Sequence, residues 1–101
     1  MDACLTMLFH CRIRTTVPPQ MSQNDWAALL TAETARGREL MRAGHIVGIW
    51  RVVGALANVS IWLASSHEEL HDLLRSLPLH PYQEVDVIPL VTHPLMMEEE
   101  S

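Results

Sequence analysis

The fold is decided by two neighbouring segments, WRVVGALANVSIW (Trp50–Trp62) and ELHDLLRSLPLHPY (Glu69–Tyr82). The first segment overlaps two apolar runs rich in β-branched residues, Ile46–Val53 and Leu56–Leu63, a composition typical of β-strands. Gly54–Ala55 separates the two runs, and glycine in so short a connection favours a tight turn. These residues therefore predict an antiparallel hairpin.

The second segment predicts a helix over His67–Leu77. Ser66 followed by Glu69 forms a capping box, in which a hydroxyl and a carboxylate each accept a hydrogen bond from a free N–H group of the first turn. Pro78 and Pro81 end the helix, because proline has no N–H to donate and its ring blocks the preceding turn.

The residues before the hairpin predict a further strand and a further helix. The strand covers Leu8–Thr16. Ser22 is a candidate N-cap, with Asp25 as a weaker capping partner, and the helix extends to about Ala43. Gly44 then supplies a C-terminal stop.

A last strand is predicted over Tyr82–Val91. Pro89 cannot donate a ladder hydrogen bond, so this strand should lie at a sheet edge. The element order is then β-α-β-β-α-β, which right-handed crossovers fold into an α+β, ferredoxin-like sandwich. In that fold a four-stranded antiparallel sheet carries both helices on one face.

The second face of the sheet should also be covered. Alternation along Leu56–Leu63 puts one set of side chains on the predicted helix side and the other on the opposite side, and both sets contain large apolar groups. The helix-side set is Ala57, Val59, Ile61 and Leu63, and the opposite set is Leu56, Asn58, Ser60 and Trp62. An apolar outer face predicts a homo-oligomer.

Composition narrows the class of protein. A chain of 101 residues forms one domain, and no apolar run reaches the roughly 18 residues that span a bilayer. The net charge of −5 argues against a nucleic-acid surface, and the absence of lysine excludes a lysine Schiff base. The two cysteines, Cys4 and Cys11, do not form a disulfide framework, and the N-terminus lacks a signal-peptide pattern. A cytoplasmic protein with reduced thiols is expected.

Glu33 is the candidate catalytic residue, because it interrupts an apolar stripe on the first predicted helix. The stripe comprises Trp26, Leu29, Leu30, Gly37, Leu40 and Met41. A carboxylate in such a place is partly desolvated or faces a cavity, which suits a general base. A structural ion pair with an arginine at a subunit interface is the alternative interpretation.

The two opening segments also resemble the muconolactone isomerase family, small enzymes of aromatic-acid degradation in the β-ketoadipate pathway. The resemblance also includes MLFHCRI (Met7–Ile13) and THP (Thr92–Pro94), in one register over nearly the whole chain. It implies a ring-like homo-oligomer, often a decamer, with no metal and no cofactor. It also divides the chain into an N-terminal extension (1–6), a ferredoxin-like domain (7–94) and an acidic C-terminal tail (95–101).

The resemblance implies roles for three residues. Glu33 matches the acidic residue assigned as the catalytic base, and Asn58 matches an asparagine that lines the active site. Leu56 stands where the family has a tyrosine, so a substrate-positioning hydroxyl is missing. Strand alternation would place Asn58 on the face away from the helices, whereas Glu33 lies on a helix. This conflict predicts either a bulge or, preferably, a pocket shared between subunits.

Two further sets of side chains have a functional and a structural interpretation. Arg51 is a candidate for binding a substrate carboxylate through a bidentate contact, and a structural salt bridge is equally compatible with its position. His67 and His71 have the i, i+4 spacing of two metal ligands. That spacing is common by chance, so contacts on a helix face or at an interface are the preferred interpretation.

The expected function is isomerisation of (+)-muconolactone to the enol-lactone of 3-oxoadipate, in the catechol branch of the pathway. A 1,3-proton transfer by Glu33 would move the ring double bond. One alternative is a dehalogenase or isomerase of chlorinated or methylated muconolactones, which Leu56 favours. The other is a non-catalytic module that binds a small acid, although an anionic Glu33 gains nothing in such a site.

Overall fold

The computed structural model describes residues 6–96, and in this range six main elements follow one another. They are β1 (Met7–Thr15), α1 (Gln23–Arg42), β2 (Ile46–Arg51), β3 (Ala57–Ala64), α2 (His67–Arg75) and β4 (Gln83–Leu90). The strands form one antiparallel sheet in the order β2-β3-β1-β4. The predicted ferredoxin-like α+β fold is confirmed, and Pro89 lies on an edge strand as expected.

Side chains cap both helices as the sequence indicates. Ser22 Oγ accepts a hydrogen bond from the Asp25 N–H (3.1 Å), and Ser66 Oγ accepts one from the Glu69 N–H (3.0 Å). Helix α2 ends at Arg75, two residues earlier than predicted. A residue that precedes proline disfavours helical backbone angles, so the chain leaves the helix before it reaches Pro78.

The hairpin between β2 and β3 has a longer loop than predicted. The strands stop at Arg51 and restart at Ala57, which leaves five loop residues where the sequence indicates two. The Ala55 N–H donates to the Val52 carbonyl (3.3 Å), and this closes a turn in which Gly54 has a φ of +80°. Glycine adopts that left-handed conformation without steric cost, so Gly54 sets where the chain reverses.

The core lies between the helices and the inner sheet face, and the predicted orientation of β3 is wrong. Trp62 and Ser60 are fully buried, whereas Val59, Ile61 and Leu63 are only partly buried on the opposite face. The register pairs Trp62 with Phe9 and Ser60 with Cys11, both of which point inward. The core cluster consists of Phe9, Cys11, Ile13, Leu40, Ile46, Trp62, Ala64, Leu70, Leu74 and Leu77.

A hydrogen-bonded chain explains how a serine and an indole share this core. The Trp62 Nε1–H donates to Ser60 Oγ (2.8 Å), and the Ser60 hydroxyl donates to the Cys11 carbonyl (3.4 Å). The Trp62 indole N–H and the Ser60 hydroxyl therefore both have hydrogen-bond partners, so neither donor is buried unsatisfied. Alternation of polar and apolar residues could not predict this, because Ser60 satisfies a neighbouring side chain on its own strand.

We call the opposite side of the sheet the outer face. It presents a set of apolar side chains that are partly buried or exposed, with His10 among them. These apolar residues are Leu8, Trp50, Val59, Ile61, Leu63, Ile88 and Leu90. A register shift between Ile46 and Gly48 in β2 places Trp50 on this face and Arg51 on the inner face.

Candidate active site

A cavity of about 370 Å³ lies between α1 and the inner face of the sheet. It exists because α1 is anchored mainly at its C-terminal end, where Leu40 is the one fully buried residue of the helix. Most of the remaining stripe lines the cavity and does not fill it, namely Trp26, Leu30, Gly37 and Met41. The apolar stripe is typical of a helix face packed against a core, but in this structure it forms one wall of a pocket.

Glu33 is held in this cavity by hydrogen bonds from two other parts of the chain. The Leu79 N–H, after α2, donates to Oε1 (2.9 Å), and Gln83 Nε2, at the start of β4, donates to Oε2 (3.3 Å). Among residues 6–96 no arginine or histidine forms a salt bridge with Glu33, so its carboxylate has no cationic partner within the described part of one chain. Its carboxylate has two oxygens with further acceptor positions, and it lines the cavity.

Asn58, Arg51 and Leu56 line the same cavity as Glu33. Asn58 faces the helices because it shares the inward alternation of Ser60 and Trp62, so neither a bulge in β3 nor a second subunit is needed to bring it near Glu33. Asn58 Oδ1 is buried and has no hydrogen-bond partner in the described part of the chain. Arg51 pairs directly with Asn58 across the strands, so the two side chains are neighbours on one face.

The rest of the lining is mostly apolar. Ile49 and Leu56 on the sheet side face Trp26, Leu30 and Met41 on the helix side. Tyr82 does not line the cavity, but its ring packs edge-on against Trp26 with the ring centroids 6.2 Å apart. His80 is also absent from the lining.

Sequence reasoning missed three features of the cavity: Gln83, the Leu79 N–H and Arg38. Arg38 lies at the edge of the α1 stripe and lines the cavity together with Arg51. Gln83 faces inward because it pairs with Thr15 at the end of β1. A pattern of hydrophobic residues carries no signal for any of them, and Leu79 and Gln83 reach Glu33 from segments distant in sequence.

Other reactive side chains lie elsewhere. Burial raises the pKa of the Cys11 thiol to about 11, so it stays protonated and is a poor nucleophile at neutral pH. His67 packs its ring edge-on against Phe9, with the ring centroids 5.7 Å apart, on the α2 side of the sheet.

Between residues 6 and 96 no group of three or more His, Cys, Asp or Glu side chains could hold a metal ion. In the same range no helix is long and apolar enough to cross a membrane.

Comparison with known proteins relates this chain to one family. The family profile described as muconolactone delta-isomerase matches residues 7–95. A muconolactone delta-isomerase of Acinetobacter baylyi is 36% identical over 95 residues, which cover 94% of this chain and 99% of the relative. One from Cupriavidus pinatubonensis is 39% identical over 88 residues, with 87% and 96% covered.

A solved structure agrees with these relatives. A crystal structure of a muconolactone isomerase superposes with a TM-score of 0.82 at 36% identity, covering 87% of this chain and 92% of the other. Sequence and fold agree over nearly the whole length of both proteins. The chain therefore belongs to the muconolactone delta-isomerase family.

Proposed function

We propose that the protein is a muconolactone delta-isomerase in which Glu33 moves a proton between two carbons of the lactone ring. The observation that carries the proposal is the Glu33 carboxylate, which lines a largely apolar cavity and accepts hydrogen bonds from two neutral donors. A base without a cationic partner keeps its negative charge available for a substrate proton. Family membership supplies the substrate class, (+)-muconolactone, and the product, the enol-lactone of 3-oxoadipate.

Arg51 binds the carboxylate arm of the lactone. Its guanidinium group forms no ion pair with a carboxylate of residues 6–96, and Arg51 lines the cavity. Arginine binds a carboxylate through two parallel hydrogen bonds, which fixes orientation as well as position. With the arm held at Arg51, the lactone ring occupies the apolar part of the cavity beside Asn58.

The reaction is a 1,3-proton shift. Glu33 removes the proton on C4, and the electrons of that C–H bond delocalise through the ring double bond onto the lactone carbonyl, giving a 2-oxyfuran-like dienolate. The Asn58 amide, turned so that Nδ2 faces the ring, donates to the developing oxyanion. Glu33 then returns the proton to C2, which leaves the double bond between C3 and C4. One carboxylate serves as base and as acid, and no redox cofactor takes part.

Replacement of Glu33 by glutamine tests the base directly. Glu33→Gln should lower kcat on (+)-muconolactone by at least about 100-fold, since a positioned general base contributes a factor of that order or more. The measurement is the ultraviolet absorbance change on formation of the enol-lactone. Glu39→Gln, on the same helix but outside the cavity lining, is the matched control and should keep the wild-type rate. A Glu33→Gln enzyme with a near-normal rate would rule the assignment out.

A substituted lactone is the second candidate substrate, and Leu56 is the observation that favours it. Leu56 gives the cavity an apolar wall where the family resemblance leads us to expect a tyrosine hydroxyl. An apolar wall accommodates a methyl or chloro substituent on the ring without leaving a polar group unpaired. On a chlorinated lactone the same base would remove a ring proton as chloride departs with the C–Cl electrons.

Turnover of plain, methylated and chlorinated lactones, measured side by side, separates these substrates. If Leu56 selects for substituents, Leu56→Tyr should lower the ratio of kcat/KM for methylated over plain lactone by about tenfold, the discrimination expected for a methyl group in an apolar pocket. Released chloride identifies the dehalogenation. An unchanged ratio in Leu56→Tyr would mean that Leu56 does not select the substrate.

We further propose that the protein acts in the cytoplasm as a homo-oligomer, such as the decamer that the family resemblance implies. The outer face supports this, since it groups seven apolar side chains around His10. His10 Nδ1 is buried without a hydrogen-bond partner in the described residues. A second subunit would cover this apolar surface and can also supply the missing partner for His10.

A further inference from the structure

Gln83 is the one side chain of the described residues that donates a hydrogen bond to Glu33. Its own backbone is well fixed: it pairs with Thr15 of β1, and its N–H donates to the His80 carbonyl at the end of a 3₁₀ turn, His80–Tyr82. The Leu79 N–H, just before that turn, is the other donor to Glu33. Both donors to the Glu33 carboxylate therefore lie in one short segment, residues 79–83, whose backbone is itself hydrogen-bonded.

The polarity of the contact fixes how Gln83 is turned. An ionised carboxylate only accepts hydrogen bonds, so Gln83 must point its Nε2 at Glu33. Its Oε1 is then buried and has no partner between residues 6 and 96. An unsatisfied buried oxygen costs stability, which an apolar side chain at this position would avoid. Within the described residues, the hydrogen bond to Glu33 is the side-chain contact that offsets this cost.

We propose that Gln83, together with the Leu79 N–H, is a positioning clamp that orients Glu33 by donating one hydrogen bond to each carboxylate oxygen. The inference rests on the proposed role of Glu33 as the base. Neutral donors suit this task better than an arginine, because they stabilise the carboxylate without pairing its full charge. A fixed carboxylate is needed because the same group must meet first C4 and then C2 of one ring.

Two substitutions separate the clamp from a merely structural role. Gln83→Leu removes the donor at similar size, and Gln83→Glu keeps the shape but adds a like charge beside Glu33. Gln83→Leu should lower kcat by about 10- to 100-fold with little change in KM, as expected for a misoriented catalytic group. Its acidic limb of kcat/KM against pH should move to higher pH. Gln83→Glu should move that limb further, since two adjacent carboxylates do not ionise together.

The matched control is Gln23→Leu, an exposed glutamine at the start of α1 that should leave rate and pH profile unchanged. A wild-type pH limb in both Gln83 variants would overturn the clamp, even if their rates fall, because a packing defect lowers activity without moving the limb. The carbon-13 resonance of the Glu33 carboxyl, followed by NMR against pH, measures the same ionisation without substrate. A wild type that fails to turn over muconolactone would thus refute the proposed function, while the NMR midpoints of wild type and Gln83→Leu still decide the clamp.

Discussion

Individual side chains in this protein are held by partners far away in sequence. Glu33 meets Leu79 and Gln83, which are 46 and 50 residues distant, and Ser60 meets Cys11, 49 residues distant. Such contacts explain how polar groups occupy positions that periodicity assigns to the core. They also make these residues sensitive to conservative substitution, because the partner that remains is buried.

Ser60 provides a test at the scale of one residue. Ser60→Ala removes the acceptor of the Trp62 indole N–H and leaves that donor buried without a partner. The free energy of unfolding should fall by about 1–3 kcal/mol, the cost of an unsatisfied buried group. Urea denaturation measures it, with the exposed Thr16→Ala as the control that should change little. Equal losses in both variants would show that the indole does not depend on Ser60.

At the scale of elements, α2 is stabilised by its capping box, and the effect depends on pH. Hydrogen bonds from Ser65, chiefly from its backbone N–H, lower the pKa of Glu69 from its usual value of 4.5. A carboxyl with a lowered pKa in the folded state adds stability above its unfolded pKa. That stability is lost as the pH falls through the folded value.

Glu69→Gln should therefore be less stable than wild type at pH 7, and the gap should close as the pH falls below about 4. Thermal unfolding of both proteins across this range gives the comparison. Glu68→Gln, in the same first turn but without a hydrogen bond from Ser65, is the control for the helix dipole. A gap for Glu69→Gln that stays constant with pH would contradict the capping role.

At the scale of the whole molecule, the two faces of the sheet differ in what covers them. The inner face is packed by α2 at one end and leaves a cavity under α1 at the other. The outer face is apolar and, in a single chain, open to solvent at Trp50 and Ile88. A small domain cannot cover both faces of its own sheet with two helices, so association with further copies is the expected solution.

A charge on the outer face should disrupt the proposed assembly. Ile88→Glu should shift the protein to a smaller species, since an oligomer interface would have to bury a carboxylate among apolar side chains. Light scattering after size-exclusion chromatography gives the mass. Val53→Glu is the control, because Val53 is 97% exposed in the loop between β2 and β3. A wild type of monomeric mass would refute the oligomer, and an unchanged mass in Ile88→Glu would refute this face as its interface.

Much of the fold could be predicted from local signals. The helices begin and end where the sequence indicates, because capping and backbone restriction act within a few residues. The starts are marked by Ser22 and Ser66, and the ends by Gly44 and by the prolines that follow α2. The predicted hairpin and the β-α-β-β-α-β order of the elements then indicated the ferredoxin-like topology. The Glu33 side chain was also visible as a charge in an apolar stripe. Its role as the base, like those of Asn58, Arg51 and Leu56, remains a prediction.

The sequence by itself determined the elements, their order and the family to which the chain belongs. The tertiary structure alone decided which face of β3 is buried, and with it whether Asn58 meets Glu33 in one chain. Both faces of β3 carry large apolar side chains, so alternation cannot choose between them. The choice follows from the pairing of Trp62 with Phe9 and from the hydrogen bonds that satisfy Trp62 and Ser60. The Trp62–Phe9 pairing and the Ser60–Cys11 hydrogen bond join segments that are distant in sequence, so no local pattern encodes them.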